Sequence, residues 1–195
     1  MKLVCASANP DKVAEMTELL AGTHVELLPR PPGAPDVVED EDTLEGNARL
    51  KAAAIATGAK QPAVAEDTGL FVDALDGRPG VFAARYAGEH ATYAENRAML
   101  LAELAERPER PRTATFRTVV MVVWPGGREL IVEGVCAGTI ALVEAGDGGF
   151  GYDPLFLIPE WHRTFGELSA TVKHALSHRG RALTRLRPFL RELPA

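Results

Sequence analysis

Cysteine is nearly absent from this chain: only Cys5 and Cys136 occur in 195 residues, each inside an apolar, strand-like run. There is no C-x-x-C spacing, so the pattern favours buried reduced thiols over a disulfide or a cysteine metal site and points to the cytoplasm. Positive charge is scarce as well, with 21 Lys and Arg against 27 Asp and Glu, a net charge of −6 and no basic run or basic helix face. That argues against nucleic acid or an anionic membrane as the main partner and leaves small molecules. No apolar run reaches membrane-spanning length, and the N-terminus enters strand and helix signals without the charged start and long apolar stretch of a leader. Neither G-x-S-x-G nor H-E-x-x-H occurs, and neither an internal repeat nor a low-complexity tract interrupts the chain.

Hydrophobic residues, by contrast, make up 46% of the chain, ample for one sizeable domain or two lobes around one groove. The stretch that organises it is Pro62-Ala63-Val64-Ala65-Glu66-Asp67-Thr68-Gly69-Leu70. Apolar residues bounded by a proline and a glycine predict a buried strand, with the two acids where it leaves the sheet. In open α/β sheets that exit is where ligands bind. No Lys or Arg neighbours Glu66 and Asp67 in sequence, so the pair serves a divalent metal or a general base, or else is a pair of solvated loop acids capping the next element.

Before this stretch, Lys2 to Ala6 predicts a first strand, and Asn9-Pro10 opens a helix with Asn9 as N-cap, ended by Gly22. Ser7-Ala8-Asn9-Pro10-Asp11-Lys12 therefore forms a strand-to-helix turn, which suits a phosphate or is an ordinary cap with a surface lysine. Val25 to Leu28 predicts a second strand. Asp42 and Glu45 form a capping box for a helix from Thr43 to about Thr57, stopped by Gly58, with Asn47 and Lys51 on one stripe.

Beyond the acids, Leu70 to Leu75 continues strand-like, Thr92 and Glu95 predict a second capping box for a helix to Glu106, and Thr115–Trp124 with Arg128–Val143 predict a long hairpin on a mixed sheet. The run Gly146 to Pro154 contains a formal G-x-G-x-x-G, but Pro154 and Leu155-Phe156-Leu157-Ile158-Pro159 follow where a dinucleotide fingerprint requires a helix. What remains is a loop with an aromatic face, Phe150, and an acceptor, Asp153, the two things a nucleobase pocket needs; Phe150 as a core side chain under a tight turn is the other reading. Ser177 opens a last helix to Glu192, with His178 and Arg179 in a first turn that disfavours cations unless an anion sits there.

Six motifs now stand in order: Ser7–Lys12, Asn47–Ala52, Ala65–Leu70, Pro79–Val81 with Ala84–Gly88, Gly149–Pro154 and Ser177–Gly180. In this order they resemble the inosine triphosphate pyrophosphatase family, the dITP/XTP pyrophosphatases, from Leu3 to about Leu190. The resemblance implies an α/β fold, a mixed elongated sheet with flanking helices, and two lobes around a central nucleotide-binding groove within one domain over residues 1–195. It implies a homodimer that hydrolyses ITP, dITP and XTP to monophosphate and pyrophosphate with Mg²⁺. Carried over by position, Ser7, Ala8, Asn9, Pro10, Asp11 and Lys12 look like the phosphate turn, Asp67 like catalytic base and metal ligand, and Thr68 like a substrate contact. Phe150, Gly151, Tyr152, Asp153, Lys173, His178 and Arg179 resemble the substrate-binding positions, and Glu39, within the run Glu39 to Asp42, a further metal-binding acid. One departure is Gly46, where the family often has an acid before the asparagine.

Overall fold

Two separate apolar cores hold the chain together, one in each of two compact units. A computed structural model describes the backbone of residues 1–191 and the side chains of residues 1–190. The first unit comprises Met1–Asp67, Thr118–Gly134 and the chain from Arg179; the second comprises Thr68–Arg117 and Val135–His178.

In the first unit, β1 (Lys2–Cys5), β2 (Glu26–Leu28) and the start of β3 (Ala63–Val72) pair in parallel, with Lys2 opposite Glu26 and Cys5 opposite Val64. The later parts of β5 (Thr113–Val123) and the first part of β6 (Glu129–Ile140) complete a strand order of β2-β1-β3-β5-β6. Helices α1 (Pro10–Leu20), α2 (Leu44–Ala59) and α5 (His178–Arg191) accompany them. Leu3, Met16, Val64, Val120, Leu183 and Leu186 have no exposed surface in this core, and each large side chain so buried is worth about 1.5–3 kcal/mol.

The second unit takes the end of β3, which pairs antiparallel with β4 (Pro79–Gly80), then α3 (Tyr93–Ala105), the start of β5 and the end of β6. Antiparallel β7 (Phe156–Ile158) and β8 (Arg163–Thr164) follow β6, and α4 (Ala170–Leu176) leads to His178. Phe116, Phe156 and Phe165 form its aromatic centre, with ring centroids 4.6 Å apart for the first two and 5.1 Å for the last two. The α/β expectation stands: parallel and antiparallel pairs mix in sheets flanked by helices.

Five local expectations are corrected. The acids lie in the middle of β3 rather than at its exit, because the strand runs on to Val72. Asp73–Leu75 is a 3-10 turn instead of strand. Thr43, not Asp42, caps α2, its hydroxyl accepting from the Gly46 N–H at 3.0 Å. That helix passes through Gly58 and ends at Lys60, which adopts the left-handed conformation itself. The N-terminal caps of α1 and α3 are as expected, including the reciprocal Thr92–Glu95 box, while α1 ends at Leu20 with Ala21, not Gly22, as its C-cap. The expected end of α5 at Glu192 lies outside the described residues.

Candidate active site

The turn between β1 and α1 is built by its own polar side chains. Asn9 Oδ1 accepts from the Asp11 and Lys12 N–H groups at 2.9 and 3.2 Å, and the Asn9 N–H donates to Ser7 Oγ at 3.2 Å. Pro10 occupies the first helical position, where no N–H is needed. Ala6 N–H bonds the Val64 carbonyl at 2.8 Å, so the turn leaves β1 alongside the strand that carries the acids. Lys12, one turn into the helix, stands 3.7 Å from Glu66. Burial pulls its ammonium below the ordinary lysine value, Lys51 and Arg179 add to this, and Glu66 and Asp67 oppose it.

Glu66 and Asp67 are 1% and 5% exposed. Successive strand residues point to opposite faces, so the two acids meet different partners. Glu66 takes Arg179 in a fork, Nε to Oε2 at 2.7 Å and Nη2 to Oε1 at 2.8 Å, while the remaining Arg179 Nη1 reaches Glu15 on α1. Asp67 accepts from Lys51 Nζ at 2.9 Å and from Asn47 Nδ2 at 3.4 Å. Lys51 also donates to Glu39 at 3.0 Å, so one ammonium is shared by Glu39 and Asp67. The cations missing beside the acids in sequence are thus Lys12, Lys51 and Arg179, brought in by the fold.

The neighbouring acids differ electrostatically. Burial alone would raise Glu66, but Arg179 and Lys12 overcome it and hold the carboxyl below its usual range. For Asp67 burial wins over Lys51 and Lys12, assisted by the Glu39 charge, and its carboxyl lies above the ordinary aspartate value. An ion-paired acid beside one with raised basicity is how a site separates a fixed charge from a proton acceptor. Beside Lys51 and Glu39 lies a cavity of about 220 Å³, also lined by Ala6, Ala8, Arg30 and Ile55.

In the second unit, Asp153 Oδ2 accepts from the Phe150 N–H at 2.7 Å and from Lys173 Nζ at 2.6 Å. Lys173 also sits 5.1 Å over the Phe150 ring. Gly149 has φ +71°, and a Cβ there would meet Asp153 Oδ2 at 2.1 Å, so only glycine allows this acid to fold back on its own loop. Tyr152 is buried and its hydroxyl donates to the Ala83 carbonyl at 2.9 Å, which makes it an anchor of the loop. His178 is buried and stacked on Phe116 at 4.4 Å; Thr68 is half-buried on β3.

Of the residues singled out from sequence, the structure pairs Lys12 and Arg179 with Glu66, joins Glu39 and Asp67 through Lys51 in the same unit, and brings Phe150, Asp153 and Lys173 together in the other. Arg179 is buried and its charge is met by two carboxylates, Glu66 and Glu15. Asn47 and Lys51 were visible as a helix stripe but not as partners of Asp67. Glu15 was missed altogether; its only signal is a position three residues after Lys12 on α1. Gly46 is explained by packing, since a Cβ there would lie 2.7 Å from Glu41 Cβ, and Glu41 exchanges backbone bonds with the Asn47 amide.

A mixed α/β fold with a side-chain-capped turn at a helix start, a buried acid pair and three cations beside it has the make-up of an α/β enzyme. Within that class the chain belongs to the Ham1 family, whose sequence profile matches residues 3–189. It is 47% identical over 187 residues to the dITP/XTP pyrophosphatase of Geobacillus kaustophilus, covering 95% of this chain and 92% of that protein. It is 46% identical to the dITP/XTP pyrophosphatase of Desulforamulus reducens over 99% of this chain and 97% of that one. A solved HAM1 protein from Coxiella burnetii superimposes with a TM-score of 0.91 at 40% identity, covering 99% of this chain and all of that one.

Proposed function

We propose that this chain hydrolyses the non-standard purine triphosphates ITP, dITP and XTP to the monophosphate and pyrophosphate, clearing them from the nucleotide pool. The observation that carries this reading is the pair of carboxylates, Glu39 and Asp67, sharing the single ammonium of Lys51 beside Lys12. Two hard oxygen donors around one cation suit Mg²⁺, which takes one or two carboxylates and fills its remaining positions with phosphate oxygens and water. Bound there, Mg²⁺ would neutralise phosphate charge and stabilise the leaving pyrophosphate. Asp67 positions a water and accepts its proton for attack at the α-phosphorus. Ser7 to Lys12 take the phosphate oxygens, Lys12 and Lys51 supplying charge and the Ser7 hydroxyl and the Ala8 N–H supplying donors. Phe150 stacks on the base, Asp153 and Lys173 present an acceptor and a donor to its edge, and Thr68, His178 and Arg179 complete the substrate-binding set.

The two units serve one pyrophosphatase domain, working as a cytoplasmic homodimer without a nucleic-acid or membrane partner; the net charge of −6 supports the last point. The test is incubation with ITP, XTP, GTP and ATP, with Mg²⁺ or with EDTA, and separation of products by ion-exchange chromatography. IMP and pyrophosphate from ITP, lost in EDTA, are the expected result. IDP and orthophosphate as primary products would overturn the reading.

A further inference from the structure

The glycine-rich loop from Gly149 to Asp153 is irregular backbone with two glycines at positive φ, so its shape needs support from outside. Tyr152 and Lys173 give part of that support, and one face of α3 gives another. Arg97 Nη1 donates to the Gly151 carbonyl at 2.9 Å, and its Nε forms an ion pair at 2.9 Å with Glu144, on the segment that leads into the loop. One turn earlier the Tyr93 ring lies 5.9 Å from the Phe150 ring, tilted by 41°. The helix that carries both is itself well anchored. Its start is closed by the Thr92–Glu95 box, Leu100 and Leu104 are buried, and Asn96 bonds the Ala87 N–H and the Ala84 carbonyl.

We propose that Arg97, supported by Tyr93, is a positioning residue that fixes the Gly149–Asp153 loop and thereby sets the orientation of the Phe150 ring before substrate arrives. This rests on the reading of Phe150 as the base-stacking ring. A charge-assisted bond to a backbone carbonyl is strong enough to hold a glycine loop in one state, and a preformed loop spares the substrate that ordering cost. The base stays stacked from ground state to transition state, and bond cleavage is remote from it. Arg97 therefore acts on KM and leaves kcat nearly alone.

The experiment compares wild type with Arg97→Ala and Arg97→Lys in ITP turnover with Mg²⁺, in inhibition by tripolyphosphate, which has no base, and in hydrogen exchange of the 149–153 amides without nucleotide. Because loss of base stacking alone is worth roughly 5- to 100-fold, Arg97→Ala is expected to raise KM by about that factor with kcat within about threefold. Tripolyphosphate inhibition stays unchanged, loop exchange speeds up, and Arg97→Lys recovers most of the KM. An unchanged KM, a fall in kcat at constant KM, or an equal weakening of tripolyphosphate would overturn the proposal. Should Arg97→Ala fail to fold, Tyr93→Leu and Glu144→Gln each remove one support and are read by the same criteria. If wild type neither binds nor cleaves ITP, the functional reading fails; the hydrogen-exchange comparison then still decides whether Arg97 fixes the loop.

Discussion

Arg179 grips Glu66 through two parallel hydrogen bonds of 2.7 and 2.8 Å, although 113 residues separate them in the chain. Both side chains are buried, and the bond from Arg179 to Glu15 adds a third element of the fold to the same guanidinium. Removing one partner of a buried pair leaves the other charge uncompensated, which costs about 3–5 kcal/mol. Glu66→Gln is therefore expected to lower the urea unfolding free energy by about that amount, while the double variant Glu66→Leu, Arg179→Met costs less than either single change. A loss under about 1 kcal/mol for Glu66→Gln would show that Glu15 alone compensates the Arg179 charge.

Asp67→Asn keeps the shape of the side chain and its bond to Lys51 but removes the proton acceptor and one carboxylate charge. Turnover of ITP should fall by roughly 10²–10⁴ if base action is its main contribution. Thermal unfolding measured in parallel should move little, because Lys51 retains Glu39 as a counter-charge. Activity within a few-fold of wild type would remove Asp67 from the mechanism.

What sequence could reveal here follows from how far each interaction reaches along the chain. Asn9 with Pro10, and Thr92 with Glu95, act within three residues, and both caps were legible because side chain and backbone donor travel together. Asp42 and Thr43 both carry capping chemistry, so a one-residue error there was built into the pattern. The continuation of β3 through Glu66 and Asp67 was not legible. Strand propensity argues against two acids in a buried run, and their partners lie 16 residues away at Lys51 and 113 away at Arg179. Glu15 and Arg179, 164 residues apart, show the limit: no local rule pairs them.

A pH dependence follows from Glu103 on α3, whose carboxylate is 2.8 Å from Arg78. Burial alone would raise this acid, yet the Tyr86 hydroxyl and Arg78 hold it below the usual glutamate value. A lowered folded pKa contributes stability above the unfolded value of 4.5 and loses it as pH falls through the folded one. Tyr86 behaves oppositely: burial, then the Glu103 carboxylate, push its phenol from 10.0 up to about 12. Its contribution is complete below pH 10 and disappears as pH rises toward 12. Urea midpoints measured from pH 3 to 11 should show a shallower acid decline in Glu103→Gln and a shallower alkaline decline in Tyr86→Phe. Parallel curves for wild type and both variants would mean that these shifts do not couple to folding.

Base choice should rest on the buried Lys173–Asp153 pair, which places a donor and an acceptor 2.6 Å apart. A 6-oxopurine offers the matching edge, an O6 acceptor for the ammonium beside an N1–H donor for the carboxylate. Adenine reverses it, setting an amino donor against the ammonium and a bare N1 against the carboxylate. Each buried mismatch costs about 1–3 kcal/mol, so two of them reject ATP by roughly 10²–10⁴ relative to ITP. Lys173→Met alone would strand the Asp153 charge, so the informative variant is Lys173→Met with Asp153→Asn, whose amide oxygen can still accept from the Phe150 N–H. The double variant should bring the ITP to ATP ratio of kcat/KM close to unity. Guanine shares the 6-oxo and N1–H edge, so the ITP to GTP ratio should barely move. Phe150→Ala should weaken ITP, XTP and ATP alike, because stacking does not read the hydrogen-bonding edge. If the double variant lowers all four substrates equally and preserves the ITP to ATP ratio, Lys173 and Asp153 only shape the loop and the base is read elsewhere.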